Sequence, residues 1–140
     1  MGIERTLSII KPDAMSSKLS GKIIALIEEK NFTILAQKKI KLTRKQAEEF
    51  YAIHKERPFF GELVQFMISD YILVQVLEAE NAVSNYREIM GSTNPDEASN
   101  DTIRKLYGKN IQCNAVHGSD SLKNANIEIS FFFSKLELFS

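Results

Sequence analysis

Apolar and polar positions along the chain mark out a mixed series of strands and helices. Residues 5–10 are rich in strand formers and end at Lys11-Pro12, where proline cannot pair. Over residues 20–31 the apolar side chains Ile23, Ile24 and Ile27 recur at a helical period. Residues 33–42 read as a second strand, with Ile34, Ala36, Lys38 and Ile40 at alternate positions. Thr43 opens a helix with Gln46 three residues on, a capping box; Phe50, Tyr51 and Ile53 lie on it, and it ends before Pro58. Residues 59–69 form another short helix, with Leu63, Phe66 and Met67 on one side. Residues 71–78 read as a buried strand, 79–90 as a helix stopping at Gly91, and 102–107 as a short helix. Residues 111–116 read as the last strand and 121–133 as the last long helix.

The resulting order, β-α-β-(α-α)-β-α-(α)-β-α, predicts an α+β fold. The expected layout is ferredoxin-like βαββαβ: a four-stranded antiparallel sheet covered by helices, with an extra helical hairpin between strands two and three. No low-complexity linker or repeat divides the chain, so residues 1–140 read as a single domain. Residues 91–110 form a long polar connection, and such loops often carry function.

Composition narrows the function classes. The 140 residues carry 18 basic and 18 acidic side chains, a formal net charge of zero. That argues against a general binder of nucleic acid or anionic membrane, so no obligate nucleic-acid partner is expected. The apolar runs, such as 23–27 and 71–74, are far too short to span a membrane. The single cysteine, Cys113, excludes an intrachain disulfide and suits a reducing, cytoplasmic setting. With only His54 and His117 beside it, neither a four-cysteine zinc site nor one of two cysteines and two histidines can be filled. The six glycines form neither GxGxxG nor GxxxxGK[ST]. Any phosphate chemistry must use another device.

The zero net charge hides segregation. Residues 18–45 hold eight basic and two acidic groups, whereas 62–101 hold eight acidic groups and one basic group, Arg87. Two readings of Arg87 stand: a pair with Glu88 or a neighbour, or a ligand for phosphate, which the guanidinium fork suits. His117 ends the last expected strand and is followed by Gly118-Ser119-Asp120 leading into a helix. From there it can serve as base, nucleophile or ligand, or be structural. His54, late in a helix, reads as structural.

The string Asn114-Ala115-Val116-His117-Gly118-Ser119-Asp120-Ser121 resembles the NxxHGSDS signature of nucleoside diphosphate kinases. Five further pieces are similar to the same family and run in order: Lys11-Pro12-Asp13-Ala14, Arg57-Pro58-Phe59-Phe60, the RxxMGxTNP segment from Arg87 to Pro95, Thr102-Ile103-Arg104, and Glu128-Ile129 with Phe132-Phe133. Together they cover nearly the whole chain, and the resemblance favours ligand contact for Arg87.

The resemblance implies transfer of the γ-phosphoryl group of a nucleoside triphosphate, typically ATP, to a nucleoside diphosphate. It implies a ping-pong route through a phosphohistidine on His117, maintaining nucleoside and deoxynucleoside triphosphate pools. Glu128 would hold the second ring nitrogen of His117, with Ser119 pinning Glu128. Lys11, Tyr51, Arg87, Thr93 and Arg104 would surround the phosphates, and Lys11 with Asn114 would reach the sugar hydroxyls. Phe59 would stack on the base, with Leu63 and Ile111 lining the slot. Stacking without base-edge contacts tolerates many bases. Mg²⁺ would be held mainly by the nucleotide phosphates, with no protein metal site. A homo-oligomer, tetramer or hexamer, is also implied. Asp70-Tyr71, Asn100-Asp101 and Cys113 depart from the common family pattern, with consequences expected for loops and subunit contacts rather than for the reaction. The competing class, a non-catalytic ferredoxin-like binding module, lacks support: no RNP aromatic strand pattern is present, and both His117 and Glu128 are.

Overall fold

A computed structural model of the protein describes residues 2–138. Strands β1 (Ile3–Ile10), β2 (Thr33–Ile40), β3 (Ile72–Glu80) and β4 (Val116–Gly118) form one sheet in the order β2-β3-β1-β4. All three neighbouring pairs are antiparallel. Central β1 pairs along its whole length with β3, from Ile3 opposite Glu80 to Ile10 opposite Leu73. Its last residues also pair with β4, which places Ile9 opposite His117. The fold is therefore the expected α+β, ferredoxin-like arrangement.

Strand side chains point alternately to the two faces, and here both faces are buried. Leu7 and Ile9 of β1 and Ile72, Val74 and Val76 of β3 share one core. Over it lie α3 (Arg44–Phe50), α4 (Phe60–Met67) and α7 (Leu122–Phe132), through Ala47, Val64, Met67, Ile129 and Phe132. Ile10, Leu73 and Leu77 face the other way. There they meet α1 (Pro12–Ser16), α2 (Ser20–Glu29), α5 (Ala82–Met90) and α6 (Ile103–Tyr107), through Ala14, Ile23, Ile27, Tyr86 and Ile103. Double burial explains why β3 runs apolar from Ile72 to Leu77 with only Gln75 interrupting. Gln75 is itself held by its amide donating to Gln37 Oε1 at 3.1 Å.

The extra hairpin, α3 and α4, forms as expected, and Thr43 and Gln46 close the capping box reciprocally. Several boundaries differ from the sequence reading. The helix opened by Thr43 ends at Phe50, so Tyr51 caps it, and Ile53 and His54 lie on a separate 3-10 turn, Ala52–His54. The helix expected at 79–90 begins at Ala82, because Ala79 and Glu80 continue β3 against Glu4 and Ile3. Pro12 marks more than a strand end: proline at the first helical position opens α1. The last strand is not 111–116 but Val116–Gly118. Residues before it fold back, with the Lys109 N–H donating to the Cys113 carbonyl at 2.7 Å. Ala115, at φ +75°, is left-handed and cannot belong to an extended strand. His117 consequently lies inside β4 rather than at a strand end. Met1, Phe139 and Ser140, which the single-domain reading includes, lie outside the described residues. No helix among the described residues is long and apolar enough to cross a membrane.

Candidate active site

The C-terminal end of β1 and the short β4 lie side by side, and the candidate chemistry gathers where they leave the sheet. His117 points to the face covered by α3 and α7. Its Nε2 lies 2.9 Å from Glu128 Oε1 on α7. The Ser119 hydroxyl donates to the same carboxylate oxygen at 2.7 Å. Ser119 is itself fixed, because its Oγ accepts the Leu7 N–H at 3.3 Å and its own N–H donates to the Leu7 carbonyl at 3.2 Å. A carboxylate can only accept, so Nε2 carries a proton towards Glu128, and in the neutral imidazole Nδ1 then holds the open lone pair. The Phe50 ring packs edge-on against the imidazole, centroids 5.8 Å apart, and fixes its plane.

Glycine after this histidine has a steric cause. A Cβ at Gly118 would stand 2.8 Å from Met90 Cε and Sδ and 2.9 Å from the Tyr86 ring. Tyr86 cannot move aside, since it is fully buried and its hydroxyl bonds Ser8 Oγ at 2.8 Å. Burial pushes the Tyr86 phenol up to about 12.

The cations come from three elements. Lys11, at the end of β1, is 8% exposed; its Nζ donates to Asn114 Oδ1 at 2.8 Å and to the Gln112 carbonyl at 3.1 Å. Burial lowers Lys11 to about 8, opposed by Asp13 and Cys113 and assisted by the positive charge of Arg104. Asn114 extends this cluster, its amide donating to the Thr93 carbonyl at 3.0 Å. Arg104, on α6, donates to the Gly91 carbonyl at 3.1 Å and the Val116 carbonyl at 2.9 Å. Its Nε is buried with no hydrogen-bond partner. Burial, and next the charge of Arg87, pull Arg104 below the ordinary guanidinium range, against the raising effect of Tyr86. Arg87 and Thr93 are exposed. Among the described residues Arg87 makes no ion pair with Glu88, the alternative read from sequence. Tyr51 is buried beside Phe50; burial, and then Glu128, raise its phenol.

The apolar positions are placed differently. Phe59 is 46% exposed at the start of α4 and leans on His54, while Leu63 is half-buried against the core. Ile111 is 60% exposed. No ring contact ties these three to His117 among the described residues; α4 reaches the polar cluster through Phe66, whose ring lies 5.4 Å from Lys11 Nζ. A recess at the surface there is lined by Gly61, Glu62, Gln65, Phe66, Ser69 and Gln112. A larger hollow of about 660 Å³, lined by Phe32, Glu78, Asn85 and Glu88 among others, holds none of the expected site residues. The chemistry defines the site here, not the size of a hollow.

Sequence reasoning gave no role to Asp13 or Phe50. Asp13 stands in the Lys11-Pro12-Asp13-Ala14 string, where Pro12 read only as a strand end; the packing of Phe50 on His117 has no sequence signal. Of the departures, Asp70 Oδ1 accepts the Tyr71 N–H at 2.7 Å, and Lys39 Nζ lies 5.0 Å over the Tyr71 ring. The Cys113 N–H donates to Asn110 Oδ1 at 2.8 Å.

Residues 4–138 match the family model described as Nucleoside diphosphate kinase. A Rhodospirillum centenum nucleoside diphosphate kinase is 60% identical over 138 residues, covering 99% of each chain. The Aquifex aeolicus nucleoside diphosphate kinase structure superposes with a TM-score of 0.96 at 45% identity, covering 98% of this chain and 99% of that one. A halophilic nucleoside diphosphate kinase from Halobacterium salinarum, solved in complex with CDP, gives 0.95 at 34% identity, covering 99% of this chain and 93% of that one. On both the sequence match and the shared fold, the chain belongs to the nucleoside diphosphate kinase family.

Proposed function

We propose that residues 1–140 act as one phosphotransferase domain with His117 as the nucleophile. In the first half-reaction the Nδ1 lone pair attacks the γ-phosphorus of a nucleoside triphosphate, typically ATP. The bond from that phosphorus to the β–γ bridging oxygen breaks, and the diphosphate leaves with the electron pair. In the second half-reaction the terminal phosphate oxygen of another diphosphate attacks the phosphohistidine and restores Nδ1. One nucleotide site used twice suffices for such a covalent route. The observation carrying this reading is the 2.9 Å contact from His117 Nε2 to Glu128 Oε1, which leaves Nδ1 free.

Phosphoryl transfer demands positioning and charge neutralisation. Lys11, Arg87 and Arg104 supply the charge, Tyr51 and Thr93 hydroxyl donors, and Asn114 with Lys11 contacts to the sugar. Phe59 offers an exposed face for the base, with Leu63 and Ile111 beside it. The CDP bound by the halophilic relative supports a pyrimidine nucleotide as one occupant. The donor set is made of ammonium, guanidinium, amide and hydroxyl groups, chemistry for phosphate oxygens rather than for a divalent cation. That fits Mg²⁺ arriving on the nucleotide, where it supplies further neutralisation of phosphate charge. The place of action is the cytoplasm, where the enzyme maintains nucleoside and deoxynucleoside triphosphate pools. The working form is a homo-oligomer, tetramer or hexamer.

The test is transfer from ATP to a series of nucleoside diphosphates with Mg²⁺. Transfer to purine and pyrimidine acceptors alike is expected. No transfer to any acceptor by the wild-type protein would remove the function.

A further inference from the structure

We propose that Asp13 is a positioning residue of the site: its carboxylate clamps Ala115 and so sets where Asn114 and His117 stand. The inference rests on the phosphotransfer function above. Asp13 Oδ2 accepts the Ala115 N–H at 3.1 Å, and the Ala115 carbonyl accepts the Lys11 N–H at 2.8 Å. The two residues flanking Pro12 thus grip both polar groups of one residue a hundred positions away in the chain. That residue needs a grip. Ala115, at φ +75°, is the fully buried non-glycine held left-handed two positions before His117.

What the clamp fixes is functional on both sides. Asn114, just before Ala115, receives Lys11 Nζ and reaches Thr93. Val116, just after it, receives Arg104, and His117 follows. An acid in a helix's first turn is usually solvated and complements the dipole. Asp13 is only half-exposed: burial raises its carboxyl above the usual range, against the lowering effects of Lys11 and of the backbone N–H groups of Ala115, Asp13 and Ala14, and its Oδ1 is shut off from water. Its charge also supports the Lys11 ammonium, which faces Arg104, Cys113 and the Phe66 ring on its other sides. A half-buried carboxylate with one oxygen shut off from water is a poor choice for stability alone. It is a good choice for holding a strained backbone and a buried cation together.

The test compares Asp13→Ala, Asp13→Asn, Ala115→Gly and Asp13→Ala with Ala115→Gly, reading kcat, KM, thermal midpoint and ADP affinity against pH. Asp13→Ala is expected to lose kcat by on the order of 10²-fold, the scale for misplacing a reacting group. Adding Ala115→Gly restores part of that loss, since glycine adopts φ +75° without strain. Asp13→Asn keeps an acceptor for Ala115 but no charge, so its ADP affinity falls away at lower pH than in wild type. Wild-type kinetics in Asp13→Ala overturn the proposal. So does a loss that follows the thermal midpoint, is untouched by Ala115→Gly and leaves the pH limb of Asp13→Asn unmoved. Should the wild-type chain transfer no phosphate, the function falls separately. The coupling of Asp13→Ala with Ala115→Gly in thermal midpoint then still decides the clamp, additivity overturning it.

Discussion

Arg104 is held by two backbone carbonyls before any nucleotide arrives, so its remaining N–H groups are fixed in direction. A preorganised donor of this kind stabilises developing charge without reorganisation. Arg104→Ala is expected to lower kcat by on the order of 10²-fold or more, measured in steady-state transfer; an unchanged rate would take Arg104 out of the site. Lys11 predicts a pH dependence. Its folded value, about 8, lies below the ordinary 10.5, so the unfolded chain binds the extra proton between these limits. Burying this ammonium therefore costs stability below about 8, and the cost is relieved as pH rises through that window. Nucleotide phosphates pull the proton back onto Lys11. ADP affinity should be full below about pH 8 and fall above it by up to about tenfold per pH unit, read by calorimetric titration. A flat affinity profile through about pH 10 would separate Lys11 from the nucleotide. At this scale the candidate site was legible through the resemblance: His117, Glu128, Lys11 and Arg104 all sit in the short strings that carry it. The grip of Asp13 on Ala115 was not visible, because a hydrogen bond between segments so distant leaves no local pattern.

Strand β4 shows what an element's sequence conceals. Ile111, Cys113 and Ala115 read as a strand, yet pairing with β1 begins only at Val116. Tertiary contacts override local preference there: Asp13 and Lys11 hold Ala115 left-handed, and the Cys113 carbonyl turns back to Lys109. Helix α1 is hidden for a related reason, since proline stops a strand and opens a helix with equal ease. The element-scale prediction concerns Gly118, where β4 crosses α5. Gly118→Ala forces a methyl group into Met90 and the Tyr86 ring, overpacking worth about 1–3 kcal/mol. The thermal midpoint should drop, and transfer should drop with it because His117 is the neighbouring residue. A midpoint equal to wild type would mean that α5 yields freely and that the glycine serves another purpose.

At the scale of the whole molecule, the sheet is buried on both faces, which leaves its two outer strands and the helix surfaces for contact between copies. Light scattering on purified protein should give a mass of four or six chains, and a monomer at micromolar concentration would refute the proposed assembly. The architecture was legible because strand and helix periods are strong and the order of elements is nearly diagnostic of the sheet. The split of the helices between the faces was not, since a helix's apolar stripe does not say which face it covers. The zero net charge likewise concealed the cation cluster: Lys11 between β1 and α1, Arg87 on α5 and Arg104 on α6 come near one another only in the fold. Whether His117 carries the phosphoryl group between nucleotides is decided by intact-protein mass spectrometry after ATP and Mg²⁺ treatment. Wild-type protein should gain one acid-labile phosphoryl group and lose it on adding a nucleoside diphosphate, and His117→Ala should gain none. An unmodified wild-type mass, or a phosphoryl group retained by His117→Ala, would contradict a phosphohistidine route.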